Sequence, residues 1–206
     1  MAFRRARVIA AEAAFGLCAS AGLVGYVVTV GEVTGASMHP TINPHLPARS
    51  TLPSDKQPGE WLIIERFSQR FLGSVRRGDV VCFVAPDDPR RLMIKRVIAL
   101  PGDEVRPVST GDGRRTLIVP EGRFWAEGDN PAVRDDGTRV STDSNDRNIG
   151  PVPLGLLRGR LVGVVWPPSR FGVSMERREA SPGRLVRMAP DKDEPGWRQF
   201  WKMGFD

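Results

Sequence analysis

A mainly β domain behind one N-terminal apolar segment is the fold that this sequence predicts. Short apolar and β-branched runs recur between Gly- and Pro-rich turn signals, the pattern of a chain built from many short strands. No helical periodicity longer than the N-terminal segment occurs, and there is no internal repeat. The 206 residues give room for one compact domain with appendages.

The formal charge of +6 comes from basic residues interleaved with acidic ones. No basic stripe with interspersed aromatics exists, which argues against nucleic-acid binding. The excess reads as a solvated surface compatible with anionic lipid. The two cysteines, Cys18 and Cys82, form no metal-ligand pattern and are poorly placed for a disulfide. His39 and His45 lack the spacing of a helical zinc motif. No metal or other cofactor is therefore expected.

Taken in order, Arg4, Arg5 and Arg7 precede an apolar run over residues 8–30, long enough for one bilayer crossing and interrupted only by Glu12. A removable targeting peptide is the competing reading. The retained anchor is preferred because the run is long and a distinctive serine turn follows almost at once. The arginines place the N-terminus on the positive-inside face, so the rest of the chain lies across the membrane.

Residues 43–60 carry Pro, Ser and charge without periodicity and read as a mobile surface loop. Residues 61–65 read as a strand. Arg77-Gly78-Asp79 is a turn signal before a strand over 80–84. Residues 85–90 read as a hairpin connection, and 92–100 as the return strand, closed by Pro101-Gly102-Asp103. Residues 116–119 and 123–126 are further strand candidates, and Gly128-Asp129-Asn130-Pro131 reads as a tight turn. A last apolar strand covers 159–165. From about residue 181 the chain becomes polar and Pro-rich. Trp197, Phe200 and Trp201 could line one face of a short terminal helix at a membrane or partner; a frayed tail is the plainer reading. The expected division is 1–30 as the segment with the anchor, 31–178 as the folded β domain and 179–206 as a polar tail.

Two residues stand out chemically. Ser37 sits in Gly35-Ala36-Ser37-Met38-His39-Pro40-Thr41, where small residues and a proline favour a sharp, rigid turn. A serine hydroxyl needs a base, and His39 is too local for a confident assignment. In the return strand, alternation puts Lys95 on one face with Met93 and Val97. Lysine is almost never buried without a reason. Desolvation disfavours its charged form, which is what a lysine base requires. Arg96 cannot serve, because guanidinium keeps its proton.

The Ser37 turn, Arg77-Gly78-Asp79-Val80-Val81, Lys95-Arg96-Val97-Ile98-Ala99-Leu100-Pro101-Gly102-Asp103, and Gly128-Asp129-Asn130 followed by Ser141-Thr142-Asp143-Ser144-Asn145 occur in this order. Together they resemble the type I signal peptidase family, membrane-anchored Ser-Lys endopeptidases, from the apolar segment to Gly172. The details resemble the mitochondrial inner membrane branch, and its subunit 2 pattern in particular: Gly35-Ala36-Ser37-Met38, Phe83-Val84-Ala85-Pro86 running on to Pro89-Arg90, Asp143-Ser144-Asn145, and Val165-Trp166-Pro167-Pro168-Ser169-Arg170-Phe171-Gly172. Bacterial relatives usually carry Arg in place of Asn145, and often Ser or Thr in place of Gly35.

This resemblance implies a signal peptidase-like β catalytic domain with one N-terminal transmembrane helix. It implies Ser37 as nucleophile, Lys95 as general base, Ser141 orienting the Lys95 amine and Asp143 supporting that arrangement. The Ser37 N–H would help to hold the oxyanion; Gly35 lacks the hydroxyl of bacterial relatives, and Thr34 is a candidate substitute donor. The implied substrates are precursor proteins with cleavable sorting signals and small residues before the cut. The implied partners are a homologous subunit 1, as a heterodimer, and membrane lipid, with the catalytic domain facing the intermembrane space. Three alternatives are a bacterial-type signal peptidase, a catalytically silent assembly subunit, and a self-cleaving repressor, which would need a DNA-binding helical domain that is not visible.

Overall fold

The computed structural model describes residues 27–45, 58–66, 75–106, 116–133, 139–143, 150–178 and 185–189. Its strands are β1 (Val28–Val33), β2 (Glu60–Glu65), β3 (Val80–Ala85), β4 (Asp88–Ala99), β5 (Glu104–Val105), β6 (Leu117–Ile118), β7 (Arg123–Val133), β8 (Arg139–Asp143), β9 (Val152–Pro153), β10 (Leu157–Trp166) and β11 (Leu185–Arg187). An eight-stranded sheet runs β1-β2-β10-β3-β4-β7-β8, with β9 added on β7, and a three-stranded sheet runs β11-β5-β6. All the pairings are antiparallel. The mainly β expectation holds.

The hairpin β3–β4 is the spine of the domain. All of Val80–Ala85 is buried, because β3 is flanked by β10 and β4 and both of its faces are covered. Val80 and Cys82 point into one core cluster with Met38, Leu62 and Leu161. Val81 and Phe83 point into a second, with Val97, Phe124 and Leu157. Successive residues thus serve opposite faces, as strand geometry requires. Phe83 and Phe124 meet edge to face at 5.5 Å. Burial pushes the Cys82 thiol up to about 11, against the opposing charges of Arg66 and Arg158; Cys18 lies outside the described residues.

Several boundaries differ from the sequence reading. β4 starts at Asp88, not Leu92, because the chain reverses over Pro86-Asp87 alone and Ala85 pairs directly with Asp88. Arg91 grips both oxygens of Asp87 at 2.6 and 2.7 Å across this turn. Residues 8–26 of the expected anchor lie outside the described residues. Val28–Val30, its expected end, instead open β1 and pair with Ile63, Ile64 and Glu65. Among the described residues no helix is long and apolar enough to cross a membrane. Part of the expected tail is strand: Leu185 of β11 pairs with Val105. Trp197, Phe200 and Trp201 lie outside the described residues, as do 46–57 of the expected mobile loop.

Two motif turns are structural devices. Gly78 has φ +85°, and a Cβ there would meet the Arg178 carbonyl at 2.7 Å, so only glycine fits. Gly102, at φ +87°, turns the chain out of β4. The adjacent Asp103 side chain is fully buried. It accepts two hydrogen bonds from Arg77, at 2.7 and 2.8 Å, and one each from the N–H groups of Leu100 and Ala189. Burial alone would raise its pKa, but Arg77 and the two amides outweigh burial and hold the carboxyl below its ordinary value. A depressed folded pKa contributes stability that is present above the unfolded value, about 3.9, and is lost as pH falls through the folded one. Asp103→Asn is therefore expected to cost about 3–5 kcal/mol at neutral pH. It should also flatten the fall in stability below about pH 4. Urea unfolding at a series of pH values checks both; an unchanged acid slope would show that Asp103 is not the linked group.

Candidate active site

Ser37 lies in a turn after β1. The turn is tied down from below by Met38 and Ile42, which are 2 % and 1 % exposed and belong to the core cluster of Val33 and Leu62. Their burial leaves Ser37 on the solvent side. Gly35 has φ +93°, a conformation that disfavours any side chain even though a Cβ would meet nothing within 4 Å. The local backbone is tightened by the His39 N–H on the Ala36 carbonyl and the Ile42 N–H on the Met38 carbonyl, both at 3.0 Å.

The turn is fastened to β7. The Asn130 N–H donates to the Ser37 carbonyl at 3.1 Å, and the Asn130 side-chain amide donates to the Ala36 carbonyl at 2.8 Å. The Thr41 hydroxyl donates to Asp129 at 2.5 Å. Gly128–Pro131 is thus not a tight turn: it continues β7, with a register shift against β8 between Glu127 and Pro131. At that irregularity the polar groups of Asp129 and Asn130 are taken up by the serine turn and by Arg96.

Lys95 lies on β4, opposite Val81 of β3. It is 6 % exposed and shares its strand face with Met93 and Val97, which pack in the Phe83–Phe124 cluster. The expected burial among apolar neighbours is therefore present. Its neighbour Arg96 points to the other face. The Arg96 guanidinium makes a bidentate pair with Asp129 at 2.8 and 2.6 Å and donates to the carbonyls of Gly78 and Glu176. Asp129 thereby joins Thr41, in the serine turn, to Arg96, next to Lys95 along β4. Ser141 and Asp143 lie on β8, with Cα partners Pro131 and Glu127 on β7.

The sequence does not single out Asp129 and Asn130 as site residues, although both lie in the Gly128-Asp129-Asn130 motif. Nor does it single out Asn43, Glu60 and Arg170. Arg170 donates to the Thr41 carbonyl at 3.0 Å, and Asn43 donates to the Gly35 carbonyl at 3.0 Å. Only a pairing visible in three dimensions could have found them. Among the described residues no cluster of His, Cys, Asp and Glu could hold a metal ion.

Residues 6–110 match the family described as signal peptidase, peptidase S26. A mitochondrial ATP-independent inner membrane protease subunit 1a from Arabidopsis thaliana is 36 % identical over 151 residues, 71 % of this chain and 76 % of the relative. A mitochondrial inner membrane protease subunit 2 from Mus musculus is 37 % identical over 145 residues, 70 % of this chain and 71 % of the relative. Relatives named for either subunit thus match about equally well. A crystal structure of a signal peptidase I from Enterococcus faecalis shares 25 % identity and superposes with a TM-score of 0.31, covering 43 % of this chain and 97 % of that one.

Proposed function

Since the chain belongs to the signal peptidase family, peptidase S26, and so to the serine endopeptidases, we propose that Ser37 is its nucleophile and Lys95 its general base. The observation that carries this reading is the joining of the motifs in space. The Ser37 turn is bonded to Asn130 of β7, and β7 pairs with β4, which carries the buried Lys95.

Ser37 Oγ attacks the carbonyl of the scissile bond while the neutral Lys95 amine takes its proton. The Ser37 N–H donates to the developing oxyanion. Gly35 supplies no hydroxyl, so a second donor must come from elsewhere, with Thr34 as candidate; one such donor is worth about 2.7–4 kcal/mol. Lys95 then gives the proton to the leaving amine, and water hydrolyses the acyl-enzyme. Ser141 orients the Lys95 amine and Asp143 supports it.

Substrates are precursor proteins with cleavable sorting signals. The relatives' names support the mitochondrial inner membrane as the site of action and a protease of more than one subunit; the proposed partner is a homologous subunit 1, in a heterodimer. The assignment to subunit 2 rests on Gly35–Met38, on Asp143–Asn145 and on the stretch from Val165 to Gly172. A single N-terminal anchor would end before β1, with the catalytic domain following to residue 178 in the intermembrane space and 179–206 as a C-terminal segment.

Purified Ser37→Ala protein is expected to lose precursor cleavage by roughly 10⁴-fold or more while keeping its fold. Cleavage of a precursor peptide at the unmodified rate would remove Ser37 from the mechanism.

A further inference from the structure

The serine turn is also held by a buried polar cluster that the Ser-Lys chemistry does not use. Asn43, Glu60 and Arg170 come from the end of the turn, the start of β2 and the loop after β10. Asn43 is fully buried and has φ +54°, the one positive φ at a non-glycine among the described residues. Asn tolerates that conformation better than most residues, and such backbone persists where its surroundings over-determine it. Here they do. The Asn43 N–H donates to Glu60 at 3.0 Å, and its side-chain oxygen accepts from the Glu60 N–H at 2.7 Å. Its amide nitrogen donates to the carbonyls of Val33, at 2.7 Å, and Gly35, at 3.0 Å. Glu60, itself fully buried, pairs with Arg170 at 2.5 Å, and Arg170 also donates to the Thr41 carbonyl at 3.0 Å.

The cluster therefore grips the chain two residues before Ser37 and four residues after it. Stability alone is a weak reason to bury an ion pair there, because apolar replacements of similar volume are often as stable. Its distinguishing feature is that two of its donors end on the carbonyls of Gly35 and Thr41, which bracket the nucleophile. We propose that Asn43, Glu60 and Arg170 are positioning residues that fix the turn presenting Ser37, so that losing them costs turnover rather than substrate affinity. This rests on the reading of Ser37 as nucleophile.

The test uses the full-length chain and separates kcat from KM for a precursor peptide. Arg170→Met is expected to lower kcat about 10²-fold, the scale of a misplacement of about 1 Å, with KM within about a factor of two. Arg170→Lys keeps the charge for Glu60 but lacks the fork that also reaches Thr41, so a loss of about tenfold is expected. Guanidinium ion added to Arg170→Ala should restore part of kcat, since the Arg170 side chain is 26 % exposed and the emptied site is open to solvent. A kcat that falls only as the folded fraction falls, or a change confined to KM, overturns the proposal. Should Arg170→Met not fold, Glu60→Gln, which removes the charge at constant shape, is measured the same way, and full kcat there is equally fatal. Ser37→Ala runs alongside. If it is inactive while the cluster variants are fully active, the positioning role fails and the nucleophile stands. If it is active, both fail.

Discussion

Lys95→Arg and Lys95→Met are both expected to lower precursor cleavage by roughly 10⁴-fold or more, as loss of a member of a catalytic unit does. The two substitutions separate chemistry from packing. Lys95 is 6 % exposed and lies between Met93 and Val97 on the face that packs with Phe83 and Phe124. Methionine fills that slot with an apolar stem and no amine, so the fold should survive and the base should not. Arginine keeps the positive charge but cannot give up its proton, so it cannot accept one from Ser37. A base must be neutral when it acts, a state open to an amine and closed to a guanidinium. If Lys95 served only as an ion-pair partner, arginine would preserve the function. Near-normal cleavage by folded Lys95→Arg protein would decide for that role and against the mechanism.

Lys95 was legible because a strand imposes period two. Once residues 92–100 read as extended, its placement with Met93 and Val97 followed, and β4 bears it out. Arg77-Gly78-Asp79 and Pro101-Gly102-Asp103 were legible as turns from their glycines. That Arg77 of one grips Asp103 of the other was not, because the sequence does not say which turns meet. Gly128-Asp129-Asn130-Pro131 misled for a related reason. Each of these residues favours turns locally, but Asn130 bonds the serine turn and Asp129 bonds Arg96, and these partners hold the segment within β7. Local preference lost to contacts far away in sequence. The bound of the expected anchor failed differently. Val28 and Val30 are as apolar in a sheet as in lipid, so hydropathy alone cannot tell a spanning segment from β1. Arg170 lies in the Val165–Gly172 motif, but its partner Glu60 opens a strand on the far side of the sequence, and no periodicity connects them.

Asp129→Ala is expected to destabilise the domain by about 3–5 kcal/mol and to disable it as well. The Arg96 side chain is 3 % exposed and that of Asp129 11 %, so the bidentate pair is largely shielded from solvent. Removing the carboxylate leaves a guanidinium with its charge uncompensated, although its bonds to the carbonyls of Gly78 and Glu176 remain. It also takes the acceptor from the Thr41 hydroxyl and so loosens the serine turn. The two consequences can be told apart. Thr41→Val removes only the hydroxyl and should cost about 1 kcal/mol in stability, so any larger effect on kcat reports the turn rather than the fold. Arg96→Met with Asp129→Ala removes both charges, and the double variant should be less destabilised than the sum of the singles by about 1–3 kcal/mol. Urea unfolding of the four proteins measures this coupling. Strict additivity would mean that the pair does not act as a unit, and that the turn and the lysine strand are joined chiefly through Asn130.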